Sequence, residues 1–129
     1  MQKEYDLMGN VIGFAMQVYR VLGPGFLESV YHKALEHELT KAGIPFESKK
    51  QIIVWYDEIP VGEFEADFLV SGDFIVEIKA VQNLAMAHEI QTVNYLNAIR
   101  KDTGLLLNFG AERLEFKKKF RKSAKAGIF

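Results

Sequence analysis

EFEADFLVSGDFIVEIKA, residues 63–80, is the stretch on which the architecture turns. It reads as two short strands either side of Ser71-Gly72-Asp73, with Asp67, Glu77 and Lys79 where alternation calls for apolar or neutral side chains. The even positions Phe64, Ala66, Phe68, Val70, Phe74, Val76, Ile78 and Ala80 form one apolar face, and Glu65, Asp67, Leu69, Ile75, Glu77 and Lys79 form the other. Slipping a hairpin by one residue turns every side chain to the opposite face, so even must oppose even. A three-residue Ser71-Gly72-Asp73 loop closing on Val70 and Phe74 does this, setting Phe68 against Val76, Glu65 against Lys79 and Asp67 against Glu77. A two-residue Gly72-Asp73 turn, the stronger local turn signal, would pair apolar positions with charged ones throughout.

Two carboxylates opposed at a Cβ separation of about 5 Å destabilise a sheet, so the pair calls for a cation or a raised pKa. A hard divalent metal fits best, because magnesium takes one or two carboxylates together with waters and phosphate oxygens. The competing reading is a solvated polar face with Glu65 and Lys79 as a cross-strand ion pair, which leaves Asp67 facing Glu77 unexplained.

Outward from this hairpin, glycine and proline cut the chain into helix, helix, strands, helix, strands. Asp6 to Leu22 carries Leu7, Val11, Phe14, Ala15, Val18 and Val21 at helical spacing, and Gly23-Pro24 stops it. A second helix is expected from about Leu27 to Lys41, with Leu27, Val30, Tyr31, Ala34, Leu35 and Leu39 inward, ending at Gly43 before Pro45. Gln51 to Tyr56 is β-branched and aromatic, Asp57-Glu58 is a turn, and Pro60 with Gly62 makes the next strand begin irregularly. A third helix is expected from about Leu84 to Lys101, then a buried strand Leu105–Phe109 and an edge strand Arg113–Phe120.

The 129 residues are the size of one domain, expected over 1–120 with a basic tail at 121–129. With 49% hydrophobic and 26% charged residues the chain reads as an ordinary globular protein, and no window approaches the roughly 20 apolar residues of a membrane span. There is no cysteine and no signal-peptide pattern at the N-terminus, so no disulfide framework or thiolate zinc site is expected and the cytoplasm is the default compartment. The net charge of −1 conceals an asymmetry. All 17 acids stand before residue 117, giving −7 through Glu115, whereas Lys117, Lys118, Lys119, Arg121, Lys122 and Lys125 give +6 beyond it. Such a tail is either a solvated terminus or a contact for a phosphate backbone.

Asp67 followed by Glu77-Ile78-Lys79 on adjacent strands resembles the PD-(D/E)XK nuclease superfamily. The run GFLESVY, residues 25–31, resembles the signature of the GxxExxY family at Gly25, Glu28 and Tyr31, and VGEFEADFLV, IVEIKA, QTVNYL and LLLNFG stand in similar contexts. The likeness runs from about Val11 to Phe120. Ala66 stands where the superfamily's name has proline, and the chemistry lies in the acid that follows. The resemblance implies an α/β fold of the restriction-endonuclease-like kind, a mixed central sheet flanked by helices. It implies that Asp67 and Glu77 hold one or two Mg2+ or Mn2+ ions, with the Ile78 carbonyl as a further ligand, and that Lys79 positions the attacking water and stabilises charge on the phosphoryl group.

Glu28, in the first turn of the second helix, is either a further site carboxylate or a residue favoured by the helix dipole. Tyr31 divides between core packing and an orienting hydroxyl. Gln91 and Tyr95, four apart, fall with His88 opposite a stripe of Met86, Ile90, Val93 and Leu96; a solvated face is their plain reading, and the resemblance carries them over as site positions. His88-Glu89 lacks the second histidine of a zinc-protease motif, His32 and His37 fall on different faces of their helix, and Gly23-Pro24-Gly25 has no Gly-Lys-Ser/Thr after it. The expectation is a metal-dependent nuclease acting on DNA or RNA, with Lys117, Lys118, Lys119, Arg121 and Lys122 as phosphate contacts. The alternatives are a nucleic-acid or protein binding module that keeps the fold without turnover, and an oligomeric structural partner, a homodimer included, built on the apolar helices.

Overall fold

The computed structural model describes residues 4–121. Helices α1 (Glu4–Leu22) and α2 (Glu28–Lys41) lead into strands β1 (Phe46–Tyr56), β2 (Ile59–Val70) and β3 (Phe74–Lys79); helix α3 (Met86–Ile99) then crosses to β4 (Thr103–Asn108) and β5 (Glu115–Phe120). The five strands stand in sequence order in one sheet. The β3–β4 pair, joined by the α3 crossover, is parallel and every other pair is antiparallel, so the sheet is mixed, as the sequence leads one to expect.

Helices α1 and α2 cover one face of the sheet. Leu7, Val11, Ala15 and Val18 of α1 and Tyr31, Leu35 and Leu39 of α2 pack with Phe68, Val70, Phe74, Val76, Ile78, Leu105, Leu107 and Phe109. Val21, in the last turn of α1, and Leu27, the extended residue that precedes α2, both expected inward, are exposed at 70% and 78%. Helix α3 covers the other face through Tyr95 and Leu96, which pack on Ile52, Ala66, Leu69 and Ile75.

The β2–β3 turn has the expected form. Val70 pairs with Phe74 and Phe68 with Val76, Asp73 N–H donates to Val70 O at 2.9 Å, and Ser71 and Gly72 both take positive φ. The face assignment of β2 needs correction. Phe68 and Val70 belong to the α1/α2 core, but Phe64 and Ala66 pack with Tyr95 and Leu96 on the α3 side. Alternation breaks at Asp67. Across from it Lys49 adopts φ +56°, and while Ser48 pairs with Phe68 and Lys50 with Ala66, Lys49 and Asp67 are not bridged. Both strands reverse their faces at this irregularity.

Strand β1 also starts earlier than the apolar run at Gln51. Its charged opening Glu47-Ser-Lys-Lys50 is strand because its backbone pairs with Leu69–Ala66. Beyond Gly62 the two strands go on as an arm to the Asp57-Glu58 turn, with a register shift between Val54 and Trp55. The expected α3 stripe is corrected as well. Thr92, Tyr95 and Leu96 face inward, and Met86 and Ile90 are exposed at 68% and 54%. The sheet beneath α3 takes the helix by the turn carrying Tyr95 and Leu96, and the first turn meets β5 through Glu89 and leaves Met86 and Ile90 outward.

Candidate active site

The β2–β3 ladder ends at Phe68–Val76, and side chains take over from backbone at the next position. Asp67 N–H donates to Glu77 Oε2 at 3.0 Å, and Ile78 N–H donates to Asp67 Oδ2 at 2.7 Å. Each acid reaches the opposite strand, which joins the two carboxylates across the seam. Among the described residues no hydrogen bond ends on the second oxygen of either acid, Asp67 Oδ1 and Glu77 Oε1.

Glu77 is 5% exposed. Burial, and then the charge of Asp67, push its carboxyl up to about 8 from an ordinary 4.5. Asp67 is raised too, mainly by burial, against the opposing pull of the Ile78 N–H, His32 and Lys79. A buried acid beside a half-buried one, both resisting ionisation, has the chemistry of a hard-cation site, because a divalent ion compensates both charges at once. Among the described residues no three His, Asp or Glu side chains gather into a complete cage, so a metal held by Asp67 and Glu77 would need further oxygen ligands such as backbone carbonyl and water.

Lys79 does not pair with Glu65. Its ammonium donates to Gln91 Oε1 at 3.3 Å, and Glu65 accepts from Gln51 Nε2 at 3.1 Å; the face reversal at Asp67 separates the two. Tyr95, one turn beyond Gln91, stacks on Phe64 with centroids 4.0 Å apart, and its hydroxyl pKa is raised by burial and by the charges of Glu77 and Asp67. Gln91 and Tyr95 therefore approach the acids from α3. Glu28 approaches from the opposite layer: it opens α2, its charge raises the Glu77 pKa, and it lines a cleft of about 270 Å³ with His32, Lys33, Lys49 and Asp67.

The loop before α2 is fixed by Tyr31. Its ring is buried and stacks on Phe109 at 4.5 Å, while its hydroxyl donates to Gly23 O at 2.6 Å and accepts from Phe26 N–H at 3.1 Å. Both readings of Tyr31 thus hold together. Gly25 between these anchors has φ +108°, a conformation that favours glycine.

Two residues, one beside Asp67 and one paired with Lys79, escaped the sequence reading. His32 stacks on Phe68 at 4.3 Å, and its Nε2 lies 3.2 Å from Asp67 O and 3.3 Å from Ser48 Oγ. Since a carbonyl only accepts, Nε2 carries the proton and donates. The available signal was its spacing, one turn after Glu28 on the same helix face. Asn108, fully buried, accepts from Val81 N–H at 2.9 Å and Gly110 N–H at 3.0 Å and donates to Val81 O and Glu115 Oε1, both at 2.8 Å. A polar residue inside Leu105-Leu-Leu-Asn-Phe109 was the signal there, because a buried amide must find partners. His88, left out of the site, starts α3 by accepting from Ala85 N–H at 3.0 Å.

The basic residues lie apart from the acids in the chain's last described strand. Lys117 and Lys119 both pair with Glu89 of α3, at 3.3 and 2.9 Å, and hold its carboxyl below the usual range; Arg121 pairs with Asp102 at 2.8 Å. Lys118 points to solvent on the other side of β5. Lys122 lies outside the described residues. No helix among the described residues is long and apolar enough to cross a membrane.

A family profile described as the PD-(D/E)XK nuclease superfamily matches residues 5–122. The chain belongs to the PD-(D/E)XK nuclease superfamily. In this superfamily member the Asp67 and Glu77-Ile78-Lys79 positions fall where the two strands part. No protein of curated function matches the chain in sequence. In fold, the PD-(D/E)XK chain is similar to the crystal structure of SSO0001, with TM-score 0.60 and 18% identity over 78% of this chain and 52% of that one. It is similar also to an alkaline exonuclease from Laribacter hongkongensis, with TM-score 0.55 and 11% identity over 99% of this chain and 76% of that one. It therefore spans about half the length of the first and three quarters of the second.

Proposed function

We propose that the protein is a metal-dependent nuclease hydrolysing phosphodiester bonds of DNA or RNA, and that within the superfamily it belongs with the GxxExxY family. The observation that carries this reading is the cross-strand linkage of buried Glu77 to the Asp67 N–H and of half-buried Asp67 to the Ile78 N–H, with the Lys79 ammonium beside the two acids. Membership of a nuclease superfamily and likeness in fold to an alkaline exonuclease support it.

In this reading Asp67, Glu77 and the Ile78 carbonyl hold one or two Mg2+ or Mn2+ ions. A bound divalent ion supplies Lewis acidity at the phosphoryl oxygens and lowers the pKa of water. The chain's own groups do the rest. Lys79, held by Gln91, orients the water and meets the charge that grows on the non-bridging oxygens as the new P–O bond forms and the old one breaks. Tyr95 walls the acids on the α3 side, and Glu28 adds a carboxylate on the α2 side. Lys117, Lys118, Lys119, Arg121 and Lys122 are proposed phosphate contacts, of which Lys117, Lys119 and Arg121 must share their charge with Glu89 and Asp102.

The test is cleavage of a panel of single-stranded, duplex and branched DNA and RNA in magnesium and in manganese. Glu77→Ala should abolish both metal binding and turnover. Wild-type protein that binds nucleic acid and cuts none of the panel with either metal would instead be a binding module that retains the fold.

A further inference from the structure

The arm formed by β1 and β2 beyond Gly62 leans over α3, and between them lies a second cleft of about 520 Å³. Trp55, Phe64, Asn94, Asn97 and Arg100 line it, giving one cation and no acid. Trp55 is 59% exposed. It stands at the register shift in β1, where Trp55 pairs with Pro60, and such an irregularity re-aims a side chain.

The cleft stands one aromatic stack away from the candidate active site. Phe64, in its wall, stacks on Tyr95, and Tyr95 lies one helical turn beyond the Gln91 that binds Lys79. From Gln91 to Ala98 the helix rises about 10 Å, roughly three base spacings of a stacked strand.

We propose that this cleft is a nucleotide subsite for an unpaired strand running out from the acids, with a base stacked on Trp55 and a phosphate met by Arg100. The proposal rests on the nuclease reading and adds the substrate class. A flat ring exposed on one wall needs a base with a free face, which a paired and stacked duplex does not present. The exposed amides of Asn94 and Asn97 offer hydrogen bonds to base edges, and the absence of acids among the lining residues suits a phosphate chain.

Trp55 is the chain's one tryptophan, so its emission reports on this cleft alone. The full chain, with chelator present so that nothing is cut, is titrated with short labelled single-stranded DNA and RNA and with the blunt duplex. Single strands should quench Trp55 more strongly than duplex does. By anisotropy, Trp55→Ala should weaken single-strand binding about tenfold, within the range for loss of one stacked base, with Trp55→Phe intermediate and Arg100→Ala also weaker. The phenylalanine and arginine variants carry the test if the alanine protein does not fold. Strands that bind with unchanged emission, and equally in all three variants, overturn the subsite, as does equal quenching by duplex. A protein that cuts nucleic acid and gives either of those results keeps the nuclease reading and loses only the subsite. A protein that neither binds nor cuts any nucleic acid loses both.

Discussion

Asn108 and Val81 are hydrogen-bonded to each other twice, through Val81 N–H to Asn108 Oδ1 and Asn108 Nδ2 to Val81 O. This clamp sits two residues beyond Lys79, at the point where β3 stops, and Phe109 N–H to Lys79 O at 2.8 Å continues it. It sets where the lysine side chain begins.

Replacing that amide with an isosteric hydrocarbon tests the clamp. Asn108→Leu strands the Val81 N–H and C=O, which should destabilise the fold by about 1–3 kcal/mol for each buried group left without a partner. Gly110→Ala attacks the same place by bulk, because a Cβ there would lie 2.4 Å from Val81 N and 2.5 Å from Ala80 C. Urea unfolding should show both losses, and turnover per folded molecule should fall with them.

Stability against pH follows from Glu77. A carboxyl whose pKa rises on folding, here from 4.5 to about 8, makes its full contribution below the unfolded value and loses it as pH climbs through the folded one. The metal-free protein should therefore weaken between about pH 4.5 and about pH 8, by on the order of a few kcal/mol. Glu77→Gln keeps an acceptor for Asp67 N–H and should flatten the profile. Millimolar magnesium or manganese should restore wild-type stability chiefly on the alkaline side, and Asp67→Asn should remove that effect.

Lys79 and Gln91 should separate chemistry from binding. Lys79→Ala is expected to slow cleavage by about two orders of magnitude or more with substrate affinity largely kept. Gln91→Leu, which leaves the ammonium present and unheld, should slow it by less. Single-turnover rates compared with binding constants measured in chelator would reveal either variant acting on affinity instead.

Glu89 holds two lysines of β5, so Glu89→Gln should free them. If they contact phosphates, the variant should bind nucleic acid more tightly at low salt and with a steeper salt dependence than wild type, without any change in metal-induced stabilisation. Equal salt slopes would count against the β5 lysines as a phosphate surface.

Much of the fold was legible because its signals are local. Burial on one face chose the Ser71-Gly72-Asp73 turn over the better dipeptide, and Gly23 and Gly43 bounded the first two helices, whereas Gly104, before the expected strand at Leu105, lies inside β4. What was not legible depends on partners distant in sequence. A lysine carries no sign that it will take a left-handed conformation, yet Lys49 does so and turns Phe64 and Ala66 to the other layer. Met86 and Ile90 looked inward by period alone; which face of α3 is covered depends on where β1, β4 and β5 lie beneath it. The acids at Asp67 and Glu77 and the lysine at Lys79 stood out as charges in strands, whereas His32 and Asn108 gained meaning only from the carbonyls they meet.

The unbridged position at Lys49 and Asp67 also marks a change in how well β2 is covered. From Phe68 to Val70 the strand is buried between the α1/α2 layer and the α3 side, whereas from Ile59 to Glu65 it is mostly exposed. Amide exchange should then be slow and uniform in β3 and β4 and faster in the arm, with the step falling at Asp67. The residue that reaches Glu77 thus stands at the border between the covered strand and the exposed arm, so whatever binds between the two acids also steadies the place where the arm begins.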